Sequence, residues 1–211
     1  MIFNHPCDFK APRLTFDSIR QEADSFRERY WGSDSLPIDI FFIAEEKLSL
    51  NIVPIKNLKS NNDIDALLYD QCQSIVVDND EYMDDRFLNR IRFSFAHEIA
   101  HLVLHKELYD SIIFHSIDQW QQAILQIPER EYFFIEQQAY EFAGRLLVPR
   151  DNLLNSVTQL KPEIDKFKSL SPNIDFNIIK PYIATKICKE YGVSDQVIIK
   201  RLDIEKLDNY F

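Results

Sequence analysis

The sequence predicts an α+β protein, mostly helical, with a small antiparallel or mixed β-sheet and further helices toward its C-terminal end. Three observations predict it. Residues 93–105 and 131–148 carry no proline and place apolar side chains at helical spacing. Three short β-prone runs lie close together between residues 50 and 77. Beyond residue 150 the chain reads as successive helices, and only three glycines occur in 211 residues, so no Gly-rich phosphate loop is present.

The elements follow in order. Residues 1–12, with Pro6 and Pro12, read as a loose lead-in. Leu14, Ile19, Ala23, Phe26 and Tyr30 then mark an amphipathic helix ending near Gly32. Ser33, Asp34 and Ser35 offer caps, and Pro37 suits the first turn of a second helix through Ile38, Phe41, Phe42, Glu45 and Leu48. Leu50 to Ile55 reads as a strand that Pro54 confines to a sheet edge or to its own end. Ala66–Tyr69 and Ser74–Val77, joined by Asp70-Gln71-Cys72-Gln73, form a hairpin. Acidic residues 78–85 precede the central helix, where negative charge suits a helix N-terminus. Residues 106–130 show little periodicity beyond one candidate short helix and read as an insertion able to cover the site. The helix Glu131 to Val148 stops because the residue before Pro149 disfavours the α conformation. Helices over 151–170 and 178–189 follow, then a Gly192 stop and a Ser194 cap before a last helix.

Composition narrows the function classes. Hydrophobic content of 45% with 13% aromatics describes a globular chain, one domain or one with a small appendage. A net charge of −10 argues against bulk attraction to nucleic acid or an anionic membrane, while leaving a local basic patch open. Cys7, Cys72 and Cys188 are odd in number, widely spaced and free of any C-x-x-C pair, which reads as reduced thiols in a cytoplasmic protein. The start lacks a signal-peptide pattern, and no apolar run reaches the length of a membrane span.

The chemistry concentrates in residues 93–105. Thirteen residues make a helix about 20 Å long, apolar on all sides, which marks a buried element. Its polar side chains are Ser94, His97, Glu98, His101 and His105. Buried imidazoles and a carboxylate need partners. His97 and His101 stand at i and i+4, with Cβ atoms about 5–6 Å apart, so both can reach one Zn²⁺. Glu98, one step round the helix, can take the proton of an attacking water. One zinc ion per chain explains all three residues.

A catalytic zinc takes three protein ligands. His105 lies two turns beyond His97, about 12 Å along the axis, and reads instead as a structural hydrogen-bonding residue. His5 and His115 read as ordinary loop or surface histidines. In the helix from Glu131, residues Glu136, Ala139, Tyr140, Ala143 and Leu147 share a face, and the two alanines admit another helix closely. Glu136 is therefore read as the third ligand, the alternative being an ion pair with Arg90 or Arg92. Glu141, with Gln137, Gln138 and Arg145, is read as the solvated face.

The run Arg90 to His105, R-I-R-F-S-F-A-H-E-I-A-H-L-V-L-H, followed by Glu136-x-x-Ala139-x-x-Phe142-Ala143-x-x-Leu146-Leu147-x-Pro149, resembles the ImmA/IrrE family of zinc metallopeptidases. With the strand Ser74–Asp78 and the tail Tyr191–Leu202, the resemblance covers about residues 15–202. It implies a zincin-like metallopeptidase domain over residues 1–150, N-terminal helix included, with residues 151–211 a helical segment packed on it. It also implies His97, His101 and Glu136 on zinc, Glu98 as general base, and regulated cleavage of a helix-turn-helix transcriptional repressor. Tyr140 stands where the family often has Asn or Asp, so a hydrogen bond that orients a ligating histidine has to come from elsewhere. Ala100 replaces a frequent Gly. The N-terminal DNA-binding domain of many members is not expected here, so the repressor would be met as a separate protein.

Two other readings stand beside the endopeptidase. A non-catalytic module stabilised by metal could sequester a repressor or toxin, but such a site has no need of Glu98. A DNA-binding role for Tyr191–Leu202 is disfavoured, because Asp195, Asp203 and Glu205 balance Lys200 and Arg201. Helix packing or partner docking suits that segment better.

Overall fold

The computed structural model describes residues 6–112, 114–170 and 174–207. His5 lies outside them. Residues 6–12 of the N-terminal lead-in are not loose. After a 3₁₀ turn at Pro6–Asp8, Phe9 and Ala11 are buried. The Ala11 N–H and the Arg13 guanidinium donate to opposite oxygens of Glu131 at 2.9 and 2.8 Å. A buried carboxylate needs such donors, and no local sequence pattern announces them.

Helix α1 (Phe16–Tyr30) starts at a Thr15 cap and stops at Gly32, whose φ of +62° is a left-handed conformation that glycine adopts freely. The second helical element begins later than Pro37 suggests. Asp39 accepts from the Phe42 N–H, so it and not residues 33–35 caps α2 (Ile40–Phe42). A π-helical turn, Ile43–Lys47, continues it, and Ile40, Ile43 and Ala44 are buried while Phe42 is exposed.

Strand β1 (Asn51–Ile55) is followed by α3 (Leu58–Asn62) and by the hairpin of β2 (Ala66–Tyr69) and β3 (Ser74–Asp78). The sheet order is β1-β3-β2, with β1 parallel and β2 antiparallel to β3, so the sheet is mixed. Pro54 sits on the edge strand β1, where its missing N–H costs no ladder bond. Residues 70–72 have positive φ and turn the hairpin. The acidic break forms α4 (Asn79–Tyr82), capped by Asp78.

The central helix α5 (Leu88–Leu104) packs on β2 and on α8 (Glu129–Leu147). Between them run α6 (Lys106–Ser111) and α7 (Ile117–Ile124), two short helices where the sequence showed little period. The chain continues through α9 (Arg150–Gln159), α10 (Lys161–Leu170), α11 (Phe176–Tyr191) and α12 (Asp195–Ile204). Helix α8 is enclosed by α5, α1 and α12. Among the described residues no helix is long and apolar enough to cross a membrane.

That enclosure corrects one expectation. Glu141 and Gln138 are not on a solvated face; they are 6% and 4% exposed. Arg201 of α12 and Arg20 of α1 donate to Glu141 at 2.9 and 2.7 Å. Arg145 pairs with Asp24 and Glu205. Charged residues on a second face of α8 meet opposite charges on two other helices, which compensates their burial.

Candidate metal centre

Helix α5 places His97 and His101 one turn apart on one face, and their Nε2 atoms approach to 3.0 Å. Glu136 reaches across from α8, with Oε2 3.3 Å from His97 Nε2 and Oε1 3.4 Å from His101 Nε2. Ala139 and Ala143, fully buried on α8, are small enough to permit this close helix approach. The alternative ion pairs do not form: Arg90 binds Asp65 and Glu81, while Arg92 is buried and donates to the carbonyls of Gly192 and Ile38.

Glu98 is buried beside the histidines, and ligand-type atoms of His97, Glu98 and His101 all lie within 4.8 Å of one another. Its Oε2 accepts the Leu68 N–H of β2 at 2.7 Å. Sheet pairing brings the Leu68 donor there, so the sequence carries no signal of it. Burial pushes the Glu98 pKa up, and the nearby imidazoles and the Leu68 N–H only partly offset this. For Glu136 burial also acts upward, but its contacts with the His101 and His97 imidazoles outweigh it and hold the carboxyl well below the usual range. Burial disfavours the charged form of His97, yet Glu136 and Glu98 together raise its pKa.

His105 does not join this cluster. It is 3% exposed, with Nδ1 3.0 Å from His101 Nδ1 and Nε2 2.9 Å from Gln138 Oε1. Burial and the adjacent His101 push its pKa down to about 3, so the ring is neutral. The orienting contact absent at Tyr140 thus reaches His101 from His105. His97 Nδ1 is buried without a hydrogen-bond partner among the described residues, and the Tyr140 ring stands 4.7 Å from the His97 ring. His115 is exposed.

The cluster opens on a cavity of about 220 Å³ lined by Leu67, Phe93, Tyr109, Trp120, Tyr132 and Tyr140. Tyr109 and Trp120 come from residues 106–130, so that segment lines the cavity. Burial raises the pKa of Tyr109, Tyr132 and Tyr140 alike, so their hydroxyls stay protonated at neutral pH. Arg201 is enclosed by Glu141 and Glu205 and offers no cation to a phosphate backbone.

The donor set fits a divalent cation. Two imidazole nitrogens 3.0 Å apart, faced by an ionised carboxylate, are relieved by one shared positive charge. Such a centre, with a further buried glutamate beside a cavity, has the arrangement of a metallopeptidase. Residues 63–203 match the model of the IrrE N-terminal-like domain, a peptidase family, and the chain belongs to that family. No curated protein matches the chain.

Proposed function

We propose that the protein is a zinc-dependent endopeptidase that cleaves a helix-turn-helix transcriptional repressor in a regulated manner. The observation that carries this reading is the convergence of Glu136 from α8 on the His97/His101 pair of α5. His97, His101 and Glu136 would hold one Zn²⁺, which when bound supplies Lewis-acid polarisation of the scissile carbonyl. Glu98 takes a proton from the attacking water as the water oxygen bonds to the carbonyl carbon. It returns the proton to the amine nitrogen as the C–N bond breaks. Its buried position beside the two histidines sets the carboxylate where it can reach a water at the metal. The protonated hydroxyls of Tyr109, Tyr132 and Tyr140 can donate to the carbonyl oxygen.

The small cavity of about 220 Å³ supports a restricted substrate, and the repressor is the substrate that the family resemblance suggests. The test compares two substitutions in cells carrying a candidate repressor, with metal content measured on the purified variants. Glu136→Ala is expected to lower metal occupancy. Glu98→Gln is expected to keep the metal and slow cleavage by about 10²–10⁴-fold, because the amide cannot accept the water's proton. If Glu98→Gln clears the repressor as fast as the parent, the hydrolytic reading is wrong. A module that sequesters its partner would then account for the site.

A further inference from the structure

His101 has two ring nitrogens, and only one can carry the proton of a neutral imidazole. Metal binding through Nε2 needs that proton on Nδ1. Hydrogen bonds that start far from the cluster decide which nitrogen has it. The Pro12 carbonyl can only accept, and a Gln138 amide nitrogen lies 2.6 Å from it, so the Gln138 NH₂ points there. The Gln138 oxygen is thereby turned toward His105 Nε2 at 2.9 Å, and it too can only accept. His105 must then carry its proton on Nε2. Among the described residues no carboxylate touches the His105 ring to stabilise a second proton, and the residue is 3% exposed. His105 Nδ1 is therefore an acceptor, and the group 3.0 Å from it, His101 Nδ1, is the donor.

We propose that Gln138 and His105 are positioning residues of a relay, anchored on the Pro12 carbonyl, that holds His101 in the tautomer whose Nε2 lone pair faces His97 and Glu136. The anchor is itself fixed: Ala11 and Arg13, flanking Pro12, both donate to Glu131 one helical region earlier on α8. The N-terminal segment thus acts on the centre without touching it. The relay's role in metal binding rests on the reading of His101 as a ligand; the tautomer itself does not.

The experiment uses full-length protein labelled with ¹⁵N-histidine, first without metal and then titrated with Co²⁺ and Zn²⁺. Long-range ¹H–¹⁵N correlations are expected to show His105 protonated on Nε2 and His101 on Nδ1 in the metal-free parent. Gln138→Leu removes the acceptor; the expected result is loss of that tautomer pair and metal affinity about 10–100-fold weaker. Finding His105 protonated on Nδ1 and His101 on Nε2 in the parent overturns the relay, whether or not the variant folds. So does a folded Gln138→Leu protein with parental tautomers and parental affinity. A parent with the expected tautomers that binds neither metal sinks the reading of the centre and leaves the tautomer assignment standing.

Discussion

Removing Glu141 tests whether the second buried face of α8 holds the C-terminal helices in place. The Glu141 and Arg201 side chains are 5% and 2% exposed, and their charged atoms lie 2.9 Å apart. Breaking a buried pair by deleting one partner costs about 3–5 kcal/mol, because the remaining charge is left desolvated. Here the lower end applies. In Glu141→Leu, Arg201 keeps Glu205 and Arg20 keeps Asp17. The expected loss is about 3 kcal/mol, or about 6–12 °C in Tm for a chain of this size. Arg201→Met should cost a similar amount, since Glu141 then keeps only Arg20 and stays buried. The double variant Glu141→Leu/Arg201→Met should be no less stable than either single one, because no unpaired charge remains between α8 and α12. Urea denaturation followed by circular dichroism measures the loss, and amide exchange should show α12 loosening first. A Glu141→Leu protein less than about 1 kcal/mol below the parent, with α12 exchange unchanged, would refute the argument and make the pair equivalent to a surface one.

Asp78 is 3% exposed and accepts the N–H groups of Lys59, Asp80 and Glu81. Burial acts to raise its pKa, but those donors outweigh it and the net shift is downward. A folded-state pKa below the unfolded 3.8 means that its stabilisation is present above that pH and lost as pH falls through and below it. Asp78→Asn should thus cost about 1.5–3 kcal/mol at neutral pH, with the gap to the parent closing in acid denaturation curves; a pH-independent gap contradicts this. Gly192→Ala should destabilise by about 2 kcal/mol or more. Gly192 has φ +60°, and a Cβ there would lie 2.7 Å from Arg92 Nε; an unchanged urea midpoint would count against it. With Tyr109 of α6 and Trp120 of α7 narrowing the cavity, the purified protein should leave casein largely intact, and rapid indiscriminate degradation on a gel would show that these helices do not restrict entry.

Much of the architecture and the core of the site were legible in the linear pattern. The i, i+4 spacing put His97 and His101 on one face of a helix because the helical repeat is local geometry. The hairpin was readable from two β-prone runs and their turn, and Pro54 announced an edge because a proline cannot donate to a ladder. The alanines beside Glu136 signalled a close helix contact. Periodicity states which side chains share a face, but not how many faces meet other elements. Glu141 and Gln138 have the composition of a wet surface, and only the docking of α1, α12 and the N-terminal segment makes them buried partners. The Leu68 N–H at Glu98 is a backbone group, so no side-chain type marks it. The path from Pro12 through Gln138 and His105 to His101 joins three segments far apart in the chain. Its direction follows from the one-way chemistry of carbonyl acceptors, which acts only once tertiary packing has brought those groups within hydrogen-bond reach.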